Sequence, residues 1–330
     1  MNIKLLSLLL IVALLFSGCA KPSSEQPSVS APTDDTATTT EPLATENLHT
    51  SAKYRIYDTS MCLQAGIVQP SEDDSVEWGR DYIEFSYSSK TRYDNKDAKQ
   101  ERTFTIGGKK YTLNYRDSYR TRLTQSARKE LHQLGVGESY YFGSSREGNR
   151  VNIDISPETN RILYFDDSSY ACEEGDLTQD QAVEIASDLF AELYGEALAR
   201  EYQPDHISFV DNNSVHHYTI YFTRYICGYR TEDWIYFCID VQGNLFSLLA
   251  DNLGTMKHLE SSITQEMVIN AETALRNSVP SCYEIIDKYL MMDVDGNCYL
   301  HCRFSLLNLD PDLPEEILND RTLLLVINVI

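Results

Sequence analysis

Positive charge is scarce in this chain. Its 330 residues hold 28 Lys and Arg against 50 Asp and Glu, a net charge of −22. So acidic a surface repels a phosphate backbone, which argues against nucleic acid as a partner and suits solubility outside a cell. The familiar catalytic signatures are also missing. There is no G-x-S-x-G around a serine, no H-E-x-x-H and no C-x-x-C. His216 and His217 are adjacent, so in a strand they point to opposite faces and cannot share an ion. Cys298 and Cys302 share a strand face but lie roughly 13 Å apart, too far for one zinc. Asp293, Asp295 and Asn297 alternate like calcium ligands, yet Gly296 comes two positions too early for an EF-hand and Phe304 stands where its glutamate belongs. Acidic residues are so many that no two stand out as a glycosidase pair. No metal, cofactor or catalytic residue is therefore expected.

Long apolar runs are equally rare. Leu5 to Phe16 is an unbroken run of apolar or small residues but too short to span a bilayer, which takes about 20 residues. After Lys4 it has the form of a signal-peptide core. The following Phe16-Ser17-Gly18-Cys19 resembles the lipobox of bacterial lipoproteins, with Phe16 where that family usually has Leu and Leu15 one place further back. The resemblance implies cleavage before Cys19, acylation of that residue and an extracytoplasmic, Gram-positive-type membrane anchor. Two or three acyl chains suffice for stable anchoring. Residues 20–51 are rich in Ser, Thr, Pro and Ala and hold almost no large apolar side chain, so they read as a disordered tether.

Seven cysteines follow the anchor: Cys62, Cys172, Cys227, Cys238, Cys282, Cys298 and Cys302. An exported chain keeps disulfides, but an odd number leaves at least one cysteine unpaired. Cys227 and Cys238 form the best candidate disulfide, because a tight turn at Glu232-Asp233 would set them opposite each other on two strands.

Beyond the tether, period-two alternation dominates up to about Asp167. Tyr82 to Tyr87 reads as a strand, and Phe104 to Tyr115 as a hairpin turning at Gly107-Gly108. Thr124 to Leu134 reads as a helix stopped by Gly135, and residues 151–155 and 161–165 as a second hairpin. The clearest helix begins at Thr178, with Gln181 completing a capping box and Ala182, Ala186, Leu189, Phe190 and Leu193 on one face. Strands follow at 206–210, 215–226, 234–240 and 245–250. A second helix opens at Thr264, with strands at 285–292, 298–306 and 322–330 after it, the last apolar apart from Thr322 and Asn328 and so buried.

The openings Leu177-Thr-Gln-Asp180 and Ile263-Thr-Gln-Glu266 echo each other. Counting onward from the two threonines pairs residues 235–240 with 323–328 and suggests one unit used twice, a helix followed by an antiparallel sheet. The same count sets D-V-D-G-N (293–297) against residues 210–213 and not against the similar D-V-Q-G-N (240–244), so the two pentapeptides are expected in different turns.

L-T-Q-D-Q-A-V-E-I-A, Y-T-I-Y-F-T-R-Y-I-C-G-Y and W-I-Y-F-C-I-D-V-Q-G-N-L together resemble the PepSY domain of exported bacterial proteins. The likeness covers Asp176 to about Leu253 well and Ser262 to Ile330 more loosely. It implies an α+β fold of repeated helix-plus-antiparallel-sheet units behind a β-rich N-terminal region. The expected organisation is a signal peptide (1–18), a tether (19–52), a β-rich domain (53–172), a PepSY-like repeat (173–255) and a diverged second repeat (256–330). The family implies binding or restraint of partner proteins and supplies no catalytic residue.

These readings converge on a non-enzymatic, lipid-anchored module for a protein or peptide partner of the envelope. Tyr229, Arg230 and Trp234, read as one loop, are its candidate contact residues, because those residue types are enriched in interface hot spots. An envelope hydrolase with an unrecognised site, and a small-ligand or glycan binder, remain as alternatives.

Overall fold

Fifteen strands carry the chain in the computed structural model, which describes residues 54–60, 76–79, 83–85, 90–143, 150–167, 174–212, 215–306 and 322–330. In order they are β1 (Tyr54–Asp58), β2 (Val76–Trp78), β3 (Thr91–Tyr93), β4 (Glu101–Ile106), β5 (Lys109–Arg120), β6 (Val136–Gly143), β7 (Arg150–Ile155), β8 (Ile162–Asp167), β9 (Tyr202–Asn212), β10 (Val215–Ile226), β11 (Tyr229–Asp240), β12 (Leu245–Leu249), β13 (Tyr283–Met292), β14 (Cys298–Leu306) and β15 (Thr322–Asn328). Four α-helices lie among the described residues: α1 (Lys129–His132), α2 (Gln179–Tyr194), α3 (Glu196–Ala199) and α4 (Gln265–Asn277).

The strands form one mixed sheet in the order β2-β1-β15-β14-β13-β11-β12-β8-β7-β6-β5-β3, with β10 and then β9 continuing from β11, and β4 beside β5. This corrects the expected fold class. The chain is mostly β, and it is not a series of repeated helix-plus-sheet units. Strand pairing ignores the proposed boundaries: β1 pairs with β15, and β8 pairs with β12. Alternation identifies a strand and its buried face, but it does not say which distant strand lies alongside.

Two large apolar cores, and a small third one around Met291, Tyr299 and Val326, pack against the sheet. One gathers Ala182, Ala186 and Phe190 of α2 against Ile153, Phe165, Ile220 and Phe237. The other gathers Val268, Ala271 and Leu275 of α4 against Leu300, Phe304, Leu323, Leu325 and Ile56. Burying each such large aliphatic or aromatic side chain contributes about 1.5–3 kcal/mol. The capping box of α2 is present: the Thr178 hydroxyl accepts from the Gln181 amide at 3.4 Å, and the Gln181 side chain accepts from the Thr178 amide at 2.9 Å. Thr264 caps α4 with its hydroxyl alone, accepting from the Met267 amide at 3.3 Å.

Two local expectations fail. The helix expected over 124–134 is a 3-10 turn (Arg122–Gln125) and the single turn α1, separated at Ser126, whose ψ of 147° breaks the helical path. Ile83 to Phe85 carry no strand, and the rest of the Tyr82–Tyr87 segment lies outside the described residues.

The two D-V-x-G-N pentapeptides lie in different turns, as the count from the helix caps has it, yet the two turns are bonded alike. Asp240 Oδ1 accepts the amides of Gln242 (2.9 Å) and Asn244 (2.7 Å), and Asp293 Oδ1 accepts those of Asp295 (3.0 Å) and Asn297 (2.8 Å). In each turn the asparagine side chain donates to the other carboxylate oxygen, at 3.2 Å and 2.8 Å. Gly243 and Gly296 both sit at φ 86°, a conformation that favours glycine. One turn joins β11 to β12 and the other joins β13 to β14. Local side-chain chemistry gives the two turns the same shape although they occupy different places in the strand order.

Candidate functional site

β11 is where the sheet forks. Along one edge it pairs with β13 at Thr231, and then with β12 from Tyr236 onward. Among the described residues Glu232 to Ile235 have no ladder partner on that edge. Diverging strands leave a crevice, and the sheet's open face here holds a cavity of about 370 Å³. That is the size of a small-ligand site. Its lining comes from distant stretches: Phe85 and Lys90, Tyr119 and Thr121 at the end of β5, Leu123, Leu134, Glu232 and Trp234 of β11, Leu249 at the end of β12, and Asp251 and Asn252 beyond it.

Alternation along β11 explains which side chains reach the cavity. Thr231, Asp233, Ile235 and Phe237 point inward and are buried, while Arg230, Glu232, Trp234 and Tyr236 occupy the opposite face. Trp234 is held in place by its neighbours. Its ring stacks on Tyr236 at 6.0 Å and meets the edge of Tyr221 at 5.5 Å. Opposite it, Lys90 Nζ lies 4.4 Å from the centre of the Tyr119 ring, 3.0 Å from Asp251 and 3.8 Å from Asp154. Tyr119 rests against the glycine paired with it across the ladder. A Cβ on Gly137 would come within 2.1 Å of the ring, so the close approach requires glycine there.

Glu232 is the unusual member. Its carboxylate has no hydrogen-bond or ion-pair partner among the described residues, and burial pushes its pKa up to about 7, with Arg230 opposing. The raised pKa means that the folded chain holds this proton more tightly than the unfolded one. The group's contribution to stability is complete below the ordinary glutamate range and is lost as pH rises through about 7. Stability measured by urea unfolding should thus fall between about pH 4.5 and 7 in the wild type and flatten across that window in Glu232→Gln. An unchanged slope would show that Glu232 does not titrate there.

A buried charge network lies on the inner face beneath the fork. Arg224 and Asp233 are 1% and 0% exposed. Asp233 accepts from Arg224 Nε (3.1 Å), the Tyr202 hydroxyl (2.6 Å) and the amides of Gly254 (2.7 Å) and Met256 (3.1 Å). Arg224 also reaches Glu260 at 3.3 Å and pairs with Glu201. The network fixes the inner side of the strand whose outer side lines the cavity.

The residues singled out from sequence are dispersed. Residues 229–234 belong to a strand, because the hairpin turns at Cys227-Gly228, with φ of 52° and 81°. Trp234 lines the cavity. Arg230 shares its face but is engaged by Asp287 (3.0 Å) and Asp205 (3.6 Å), and its guanidinium lies 5.4 Å from the centre of the Tyr289 ring. Tyr229 falls on the inner face and donates to Glu272 at 2.7 Å. The expected Cys227–Cys238 disulfide is absent. With the turn at Cys227 rather than at Glu232-Asp233, Cys238 lies opposite Thr219, far along the strand. Cys227, Cys238, Cys282, Cys298 and Cys302 are all free. Cys19, Cys62 and Cys172 lie outside the described residues. Glu232, Lys90, Tyr119 and Asp251 escaped the sequence reading. Extending the alternation upstream of Trp234 would have put Glu232 beside it, but no spacing links the other three.

No protein-family model matches the chain, and no curated protein matches it. Among solved structures the chain is similar to the Bacillus megaterium YpeB C-terminal domain, at 13% identity over 56% of this chain and 78% of that one, with a TM-score of 0.32. At that score the likeness carries nothing about function.

Proposed function

We propose that this chain is a lipid-anchored, extracytoplasmic module that binds or restrains a protein or peptide partner at the cell surface, without catalysing a reaction. The observation that carries this reading is the crevice at the fork, with a fixed indole on its wall and an unpartnered carboxylate beside it. Aromatic anchors in desolvated pockets supply much of the energy of protein recognition. The apolar run before Cys19 and the Ser/Thr/Pro-rich stretch after it support the address. The expected outcome is that the full chain captures a saturable partner from envelope extracts and that Trp234→Ala loses it by tenfold or more, roughly the 1.4 kcal/mol scale of a modest anchor. Equal capture by the variant removes the crevice as the contact site. Mass spectrometry of the mature N-terminus should find Cys19 acylated, and an unmodified Cys19 removes the anchor.

One observation favours a second reading, an envelope hydrolase. The Glu232 carboxyl near 7 has the proton affinity useful to a general acid or base. Turnover of envelope-type ester, amide or glycoside substrates that disappears in Glu232→Gln would establish it in place of the first.

A further inference from the structure

We propose that the crevice at the fork is a receptor for a single basic side chain, arginine or lysine, presented by a peptide segment of the partner. This deepens the binding reading and rests on it. Charge comes first. Lys90 is the only Lys or Arg among the lining residues, and two carboxylates already hold it, Asp251 at 3.0 Å and Asp154 at 3.8 Å. Glu232 then stands unmatched. Arg230, two residues earlier on the same face, is turned to Asp287 and Asp205. An incoming cation would supply the missing partner.

Geometry fits the same ligand. Glu232 and Trp234 are two residues apart on one strand face, which sets their side chains roughly 7 Å from each other. A cation between them contacts a carboxylate on one side and the face of an indole on the other. Both interactions favour a positive head, and stacking on the ring favours a planar guanidinium. The remaining wall offers Leu123, Leu134, Leu249 and Phe85. Lysine and arginine carry their charge on an apolar stem that seeks such surface. Trp234 is already stacked against Tyr236 and meets Tyr221 edge-on, so its ring needs little ordering on binding.

Protonation adds a signature. The groups around Glu232 are Arg230 on its own strand, Tyr289 of β13 with His301 of β14 packed 4.6 Å from it, Tyr119 of β5, and Lys90 with Asp251 across the cavity. Burial holds the free Glu232 carboxyl near 7, while a bound cation favours its ionised form. Binding thus releases a proton, and affinity rises between about pH 6 and 8.

The test is calorimetric titration of the full chain with acetylated, amidated pentapeptides Gly-Gly-X-Gly-Gly, where X is arginine, lysine, citrulline or glutamate. Citrulline keeps the shape of arginine and removes its charge. The arginine and lysine peptides should bind saturably, the citrulline peptide about tenfold more weakly or worse, and the glutamate peptide not at all. Glu232→Gln should weaken the arginine peptide by about tenfold and abolish the rise with pH. The comparison of arginine with citrulline on the wild-type chain decides the matter even if the variant fails to fold. Equal binding of those two peptides, an undiminished affinity in a folded Glu232→Gln variant, or no binding of any peptide overturns the proposal. Capture from envelope extracts with wild type and Trp234→Ala, run alongside, separates the two levels. If the peptides fail while capture still depends on Trp234, the basic-residue inference alone falls. If both fail, the binding reading falls with it.

Discussion

Replacing Asp233 with alanine should lower the free energy of unfolding by about 3–5 kcal/mol, the loss typical of removing one partner from a buried ion pair. Asp233 is fully buried, and Arg224 beside it is 1% exposed. Removing the carboxylate strands the Arg224 Nε, the Tyr202 hydroxyl and the Met256 amide, while the Gly254 amide keeps the Tyr202 oxygen at 3.0 Å. Each buried donor left without an acceptor costs about 1–3 kcal/mol. Glu201 and Glu260 still hold the guanidinium from its other nitrogens, so part of its charge stays matched. Asp233→Asn keeps an acceptor oxygen and should lose less, about 1–3 kcal/mol. Urea unfolding of the full chain measures both. The network also ties the two large cores together, since Leu253 packs in one core and Met256 and Leu259 in the other, with Asp233 bound between them. A loss below about 1 kcal/mol for Asp233→Ala would mean that the segment from Gly254 to Met256 holds its place without that carboxylate.

The elements easiest to read from sequence were those whose signal is local. The capping box at Thr178 is written in four consecutive residues, and the apolar run of β15 announces its own burial. The pairing of β1 with β15 joins segments some 270 residues apart, as in Ile56 with Ile327, and no window of sequence contains it. The expected repeat failed for that reason. It rested on two similar helix openings, while the sheet takes its neighbours from both ends of the chain. The candidate site was half legible. Trp234 drew attention through its residue type, and Arg230 and Tyr229 drew it equally, although one is committed to Asp287 and the other points to the opposite face. Reading Glu232-Asp233 as a turn hid two facts at once. It hid the inward position of Asp233 and the outward position of Glu232, and it also produced the disulfide that the hairpin at Cys227-Gly228 forbids. An acid at an inward strand position needs a buried partner. Arg224, inside the register shift between β10 and β11, was the available cation.

Phe190→Ala should destabilise the chain by about 3–5 kcal/mol, the range for deleting a buried aromatic ring that its surroundings cannot collapse to replace. Phe190 is 1% exposed on α2, and its ring meets those of Tyr194 (5.6 Å), Tyr202 (5.4 Å), Phe222 (5.4 Å) and Phe237 (5.9 Å). The first three contacts are edge-to-face, each worth about 0.5–1.5 kcal/mol beyond the area buried. Rings from one helix and three strands surround the site, so relaxation into the void would have to move several elements together. Phe190→Leu fills more of the space and should lose less. Tyr202 gives the substitution a second consequence. The same side chain that packs on Phe190 donates to Asp233, and its ring lies under Arg224, 4.8 Å from the guanidinium carbon. A cavity beside it loosens the network under the fork. The two losses should then fall short of additivity: Phe190→Ala combined with Asp233→Ala should cost less than the sum of the single variants by more than about 0.5 kcal/mol, the coupling seen between residues that share a partner. A sum that is strictly additive would place the α2 core and the charge network in separate cooperative units, with Tyr202 rigid enough to shield each from the other.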